Sequence, residues 1–241
     1  GHLLAVAGSR GQSGAAAILA RAALRSGVGL VTVATPRSVQ PIVAAAQSEI
    51  MTEPLVETRS GALGRTAAVV ALELLAARDA LALGPGLGTE GGTRAAVVAL
   101  LSGRSAPAVL DADGLNAFAT DGHPRVPLRA GRHALVLTPH PGEAARLLGT
   151  TVREIQRDRL GSARRLAAAT GAIVALKGRR SVVAHPDGRA SFNPTGNPGM
   201  ATGGTGDALT GILGALLARG LNGFDAARLG TYVHGAAGDL A

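Results

Sequence analysis

The pattern that most constrains this chain is a repeated succession: a short apolar run, a cluster of glycine and polar residues, then a stretch with helical spacing. The apolar runs cover 3–7, 30–34, 80–83, 107–111, 134–137 and 172–176. Helical spacing covers 15–25, 64–77, 93–102, 151–170, 207–219 and 224–239. Apolar runs without polar alternation suit strands covered on both faces. Their alternation with helices predicts a layered α/β/α fold, with a mostly parallel central sheet and helices on both faces. Segments 182–185 and 189–193, split by Pro186-Asp187-Gly188, read as a hairpin, so one sheet edge is expected to be mixed. No linker or repeat breaks the pattern, and 1–241 reads as a single domain. Gly1 is not an initiator Met and Ala241 falls inside an apparent helix, so the chain is expected to be trimmed at both ends.

Composition removes several function classes. Cysteine is absent, which excludes disulfides, thiolate zinc sites and a cysteine nucleophile. Three Phe, one Tyr and no Trp are too few for a stacking platform for single-stranded nucleic acid. No uninterrupted apolar run approaches the about 18 residues of a membrane span, and no secretory signal is seen. The expected location is the cytoplasm. The net charge is +8, but the arginines are scattered in runs no longer than two. They read as a solvated surface more than as a polyanion-binding face. Lys177 stands apart as the only lysine. Lysine and arginine differ where a compact point charge must reach a phosphate.

In open α/β sheets, ligands collect beyond the carboxyl ends of the strands. Clusters 8–14, 84–88, 111–116, 138–143 and 177–181 each follow an apolar run and are expected to line one rim. A sixth cluster, Gly203-Gly204-Thr205-Gly206-Asp207, opens a helix. Its backbone N–H groups can curl around an anion, and the helix N-terminus favours negative charge there. Asp207, in the first turn, can take the proton of a hydroxyl that attacks phosphorus; a plain helix cap is the alternative. No Lys-Ser/Thr follows the glycines, so this is not a Walker loop.

The other clusters carry weaker signals. Gly8-Ser9-Arg10-Gly11-Gln12-Ser13-Gly14 lacks the glycine spacing of a dinucleotide fingerprint, and Thr35-Pro36 stands where an acidic residue is expected. A tight turn and a close backbone approach to a ligand both remain open. Gly84-Pro85-Gly86-Leu87-Gly88 suggests a backbone-lined wall. Asp111, Asp113 and Asn116 are oxygen donors of the kind Mg2+ prefers, or else form a turn and helix cap. His140, between two prolines, is a candidate substrate contact. Lys177-Gly178-Arg179-Arg180-Ser181 suits a nucleotide's phosphates or adenine edge. His123, His133 and His185 show no partner pattern, His234 reads as structural, and no zinc spacing is present.

Taken in order, these clusters resemble the NAD(P)H-hydrate dehydratase family, which has a ribokinase-like fold. The resemblance rests on stretches 27–33, 84–88, 111–116, 138–148, 176–178 and 197–211, and it spans essentially the whole chain. It implies a lyase that repairs NADH and NADPH hydrated at ring carbon C6. The hydroxyl is phosphorylated from an adenine nucleotide, and phosphate then leaves. By position, Asp207 activates the hydroxyl. Ala15, Gly84, Gly86 and His140, with Asp207, contact the substrate. Lys177, Gly178, Arg179, Arg180, Ser181 and Gly206 bind the nucleotide. The cofactors implied are ADP or ATP, with ADP favoured because the chain looks like the bacterial type, and Mg2+ through ligands that stay undetermined. The partners implied are further copies of the chain, with a tetramer as the candidate state, and a fused N-terminal epimerase domain. Ser181 departs from the family's usual Thr. The competing expectations are a ribokinase-like kinase for a small vitamin precursor and a non-catalytic polyanion-binding protein.

Overall fold

The computed structural model describes residues 1–120, 123–124 and 128–241, with side chains described outside 120–127. The side chain of His123 therefore lies outside the described residues. The chain runs β1 (His2–Val6), α1 (Ser13–Arg25), β2 (Leu30–Pro36), α2 (Gln40–Ala46), β3 (Met51–Leu55), α3 (Ala67–Leu75) and β4 (Ala80–Leu83). It continues through α4 (Gly91–Gly103), β5 (Ala108–Leu110), α5 (Asp113–Asn116) and a small antiparallel pair, β6 (Ala119–Thr120) and β7 (His123–Pro124). Then follow β8 (Leu135–Leu137), α6 (Pro141–Leu148), α7 (Val152–Arg157), α8 (Arg159–Thr170) and β9 (Ile173–Leu176). The hairpin β10 (Val182–Ala184) and β11 (Ala190–Phe192) precedes α9 (Thr205–Ala218) and α10 (Gly223–Leu240).

Nine strands form one sheet in the order β11-β10-β9-β8-β5-β4-β1-β2-β3. All pairings are parallel except those of β10, which is antiparallel to both β9 and β11. The mixed edge is therefore the predicted hairpin. Strand alternation sorts β1 between the two faces. Leu4 and Val6 pack with α3, α4, α6 and α8, whereas Leu3, Ala5 and Ala7 pack with α1, α9 and α10. Each fully buried leucine in these layers contributes about 1.5–3 kcal/mol of transfer free energy.

The chain order reverses between β1 and β4, since β2 and β3 lie on one side and β5, β8 and β9 on the other. The loops leaving β1 and β4 meet at this switch point, where open sheets form a crevice. On the α1 side the helices approach closely. A Cβ on Gly211 of α9 would lie 2.1 Å from the Leu19 carbonyl oxygen of α1, so only glycine fits.

Two readings of the sequence need correction. The helix expected over 151–170 is two helices, because Asp158 leaves helical geometry (φ −139, ψ 77) and its side chain accepts from the Gly161 N–H at 2.8 Å to start α8. Strand β3 and helix α2 went unpredicted; β3 is an edge strand with polar Thr52 and Glu53 and the ladder-breaking Pro54, so no apolar run marks it. The small residues of α1 pack inside the chain: Ala16, Ala20 and Ala23 are fully buried in the cluster that includes α9.

Candidate active site

The polar clusters converge at the carboxyl end of the sheet, and specific contacts join them. The Gly8 N–H donates to the Pro85 carbonyl at 2.8 Å, tying the loop after β1 to that after β4. Gly84 has φ +130, and a Cβ there would lie 1.9 Å from the Asp111 carbonyl oxygen; the chain can pass β5 only as glycine. Gly86 has φ +65, and its Cβ position is 2.9 Å from the Ala15 methyl. Ala15, Gly84 and Gly86 are thus brought together as the sequence reading requires. The Lys177 N–H donates to the Pro139 carbonyl at 2.8 Å, joining the loops after β8 and β9.

Asp111 forms the floor of the site. It is buried, and its two oxygens are both engaged: Oδ1 accepts from Lys177 Nζ and Oδ2 from Thr210 Oγ1, each at 2.7 Å. Glu143 lies on the other side of the ammonium at 3.9 Å. The Lys177 ammonium is thus anchored on the floor of the site by Asp111, with 21% of the side chain still exposed. Burial alone would push its ammonium down, but the carboxylates of Asp111, Glu143 and Asp207 outweigh this and hold its pKa above the usual value. Gly206 packs over this pair, its Cβ position 3.3 Å from Lys177 Nζ.

Above the floor, Gly204 adopts the left-handed conformation (φ 89, ψ −21) that turns the chain into α9. Asp207 sits in the first turn, half-buried, and its carboxylate makes no hydrogen bond or ion pair with any described residue. Burial, then the Asp111 charge, push its pKa up to about 6, while Lys177 draws it down. His234 Nε2 lies 2.9 Å from the Thr205 carbonyl oxygen and braces this turn from α10, the structural role expected of it. Burial lowers the pKa of His234, which leaves the ring neutral and Nε2 the donor.

His140 is the N-cap of α6, which starts inside the 138–143 cluster. Its Nδ1 accepts from the Gly142 N–H at 3.0 Å, and the Glu143 carboxylate accepts from the His140 backbone N–H at 2.7 Å. Burial lowers its pKa, with Lys177 and Arg146 adding to the effect. The neutral ring then carries its proton on Nε2, which faces Glu143 Oε1 at 3.4 Å. Nδ1 is occupied by the cap, and the side chain is 51% exposed at the rim. Its outer face is what a ligand would touch.

Burial pushes Glu143 up to about 7, against the pull of Lys177. Its folded-state pKa exceeds its ordinary value of 4.5, so stability from this group is present at low pH and falls as pH rises from 4.5 to about 7. Glu143→Gln is expected to raise Tm by roughly 2–4 °C near pH 8 and hardly at all near pH 4.5. Thermal melts at both pH values check this, and a difference independent of pH would contradict it.

The 177–181 turn presents a different surface. Arg179 and Arg180 are exposed, Arg180 has φ 52, and Ser181 Oγ donates to the Gly178 carbonyl at 3.2 Å. Arg159 of α8 holds the turn from below by donating to the Leu176 and Lys177 carbonyls at 3.1 and 3.2 Å. Of the described non-glycine residues only Arg180 and Ala112 have positive φ, and both flank the site. Such strain persists where surrounding contacts over-determine the backbone.

Metal readings are narrowed by the same contacts. Asp111 is committed to Lys177 and Thr210, and Asp113 accepts from the Gly88 N–H at 2.9 Å and from Asn116 Nδ2 at 3.3 Å. Among the described residues no group of three His, Asp or Glu side chains could cage an ion. Mg2+ commonly binds through one or two carboxylates plus substrate phosphates, and this donor set fits that mode.

The chain matches the profile of a carbohydrate-kinase-type family, described as NAD(P)H-hydrate dehydratase, over residues 3–241. It belongs to the NAD(P)H-hydrate dehydratase family. It is 41% identical to the ADP-dependent (S)-NAD(P)H-hydrate dehydratase of Neisseria meningitidis, covering all of this chain and 77% of that protein. It is 54% identical to the bifunctional NAD(P)H-hydrate repair enzyme of Moorella thermoacetica, and the whole chain spans only 45% of that relative's length. The ADP/ATP-dependent NAD(P)H-hydrate dehydratase of Bacillus subtilis, co-crystallised with ATP and Mg2+, superposes with a TM-score of 0.79 at 32% identity, covering 100% of this chain and 80% of that one. The layered, mostly parallel sheet is the ribokinase-like architecture that membership implies. No helix among the described residues is long and apolar enough to cross a membrane.

Asp111, Glu143, Thr210 and Arg146 matter to the site more than the sequence reading allowed. One signal was present: Asp111 ends an apolar strand in a chain with a single lysine to neutralise it.

Proposed function

We propose that this chain restores NADH and NADPH from their C6-hydrated forms, with an adenine nucleotide as phosphoryl donor and Asp207 as base. The observation that carries the reading is the Asp207 carboxylate, half-buried and without a partner among the described residues, at the mouth of a glycine turn that opens a helix. The N–H groups of that turn suit the spread charge of a phosphoryl group in transfer. Asp207 takes the hydroxyl proton as the C6 oxygen attacks the terminal phosphorus. The C6–O bond then breaks, pushed by the ring nitrogen's electrons. The C5 proton leaves to the basic phosphate, and the C5–C6 double bond is restored. Mg2+, held chiefly by the nucleotide's own phosphate oxygens, would neutralise their charge.

Ala15, Gly84, Gly86 and the outer face of His140 support a substrate wall. Gly206 and the turn from Lys177 to Ser181, with Gly178, Arg179 and Arg180, support a nucleotide site. ADP is favoured as donor, by likeness to the Neisseria relative. The bifunctional relatives, about twice as long, support a fused epimerase domain in a full-length protein. Exposed Phe192, Leu229 and Tyr232 around one shallow cleft beside the edge strand support a homo-oligomer. The cytoplasm, where reduced nicotinamides are used, is the compartment this reading implies.

The test is recovery of reduced-nicotinamide absorbance from hydrated NADPH with Mg2+ and ADP or ATP. Recovery that needs nucleotide and matches phosphate release is expected. A stable phosphorylated product without recovery would instead support a kinase.

A further inference from the structure

A cavity of about 290 Å³ opens beside the site, lined by Gly88, Arg94, Asp113, Asn116 and Arg146, among others. It lies between the loop after β4, which carries Gly84 and Gly86 of the substrate wall, and the last turn of α6, with α5 beside it. A relay of hydrogen bonds builds it. The Gly88 N–H donates to Asp113 Oδ2, Asn116 Nδ2 donates to Asp113 Oδ1, and Arg146 donates through Nε and Nη2 to Asn116 Oδ1 at 3.2 and 2.9 Å. The Arg146 guanidinium is thereby fixed in plane, with Nη1 outside the clamp. Arg94, from α4, makes no ion pair or side-chain hydrogen bond with any described residue. Two arginines and one carboxylate line it, and that carboxylate already accepts two hydrogen bonds. The cavity is therefore net cationic, with Arg146 held in place, the character of a phosphate site. Its volume is near the lower end for ligand pockets, enough for a phosphate and part of a sugar but not for a whole dinucleotide.

We propose that this cavity seats a phosphate group of the dinucleotide substrate, with Arg94 and Arg146 as its counter-charges. The inference rests on the dehydratase reading, because the hydrated cofactor carries phosphates remote from its reacting ring. A ring at Asp207 with the rest of the molecule laid along Gly84–Gly88 would bring such a phosphate here. Remote contacts of this kind orient the reacting carbon against the base. Two phosphates qualify: the pyrophosphate shared by both substrates, and the 2′-phosphate of hydrated NADPH alone.

The experiment measures KM and kcat for hydrated NADH and hydrated NADPH, and separately the Kd of NADH and NADPH. The proteins are the wild-type chain, Arg94→Gln, Arg146→Gln, the double variant, and Arg153→Gln as an exposed control on α7. The double variant is expected to raise KM and Kd at least tenfold, with the KM of the adenine nucleotide unchanged and the control like wild type. Losses equal for both dinucleotides assign the pyrophosphate; losses confined to the NADPH forms assign the 2′-phosphate. Unchanged KM and Kd in the double variant overturn the proposal, as does an equal loss in the control. A wild-type chain without turnover whose NADPH or NADH binding still weakens in the double variant would refute the dehydratase reading and retain the phosphate site. Arg94→Gln removes no contact to a described residue, so it reads the site even if Arg146→Gln disturbs α6.

Discussion

Asp207→Asn is expected to lower kcat by about 10²–10⁴-fold, the range for a lost general base, while leaving nucleotide affinity within about twofold. Asn is nearly isosteric and cannot accept the hydroxyl proton. The native carboxylate makes no contact with a described residue that the fold would lose, so stability is expected to hold or rise. Removing a half-buried charge that lies near Asp111 relieves repulsion. Turnover should also follow the base's ionisation. With its pKa pushed up to about 6, Asp207 is protonated below that pH, so kcat/KM should fall as pH drops through about 6. Steady-state kinetics across pH check both statements. A variant with near-native kcat would remove Asp207 from the chemistry.

The second large effect concerns Lys177. Lys177→Met leaves Asp111 charged and buried, with Thr210 alone as partner. Breaking a buried pair from one side costs about 3–5 kcal/mol. Lys177 keeps 21% of its side chain exposed, so the lower end, about 3 kcal/mol, is expected. The same change removes the cation that draws Asp207 down, so the acid limb of kcat/KM should move to higher pH. Asp111→Asn/Lys177→Met removes both charges and is expected to recover most of the lost stability. Denaturant unfolding of the single and double variants measures this. A loss below about 1 kcal/mol in the single variant, or an acid limb that stays put, would show that the ammonium neither neutralises the floor nor tunes the base.

The sequence alone carried the layered fold, because the central strands are apolar runs long enough to read and each is followed by a glycine or polar cluster or a helix. It also marked Asp207 as the candidate base, since a carboxylate just after a glycine-rich turn is a local pattern. It carried the hairpin edge through Pro186-Asp187-Gly188. It did not carry β3, whose edge position needs no apolar run, nor the break at Asp158, which depends on one backbone torsion.

The tertiary structure decided what Lys177 does. In sequence it belongs to a basic turn that suggests a phosphate. In the fold its ammonium meets Asp111, 66 positions earlier, while Thr210 reaches the same carboxylate from 99 positions later. It likewise decided that His140 caps a helix through Nδ1, and that Arg146 is aimed by Asn116. The division has one physical cause. Strand, helix and turn preferences are set by neighbours a few residues away, whereas the charge state and direction of a buried polar group are set by whichever groups the fold packs against it.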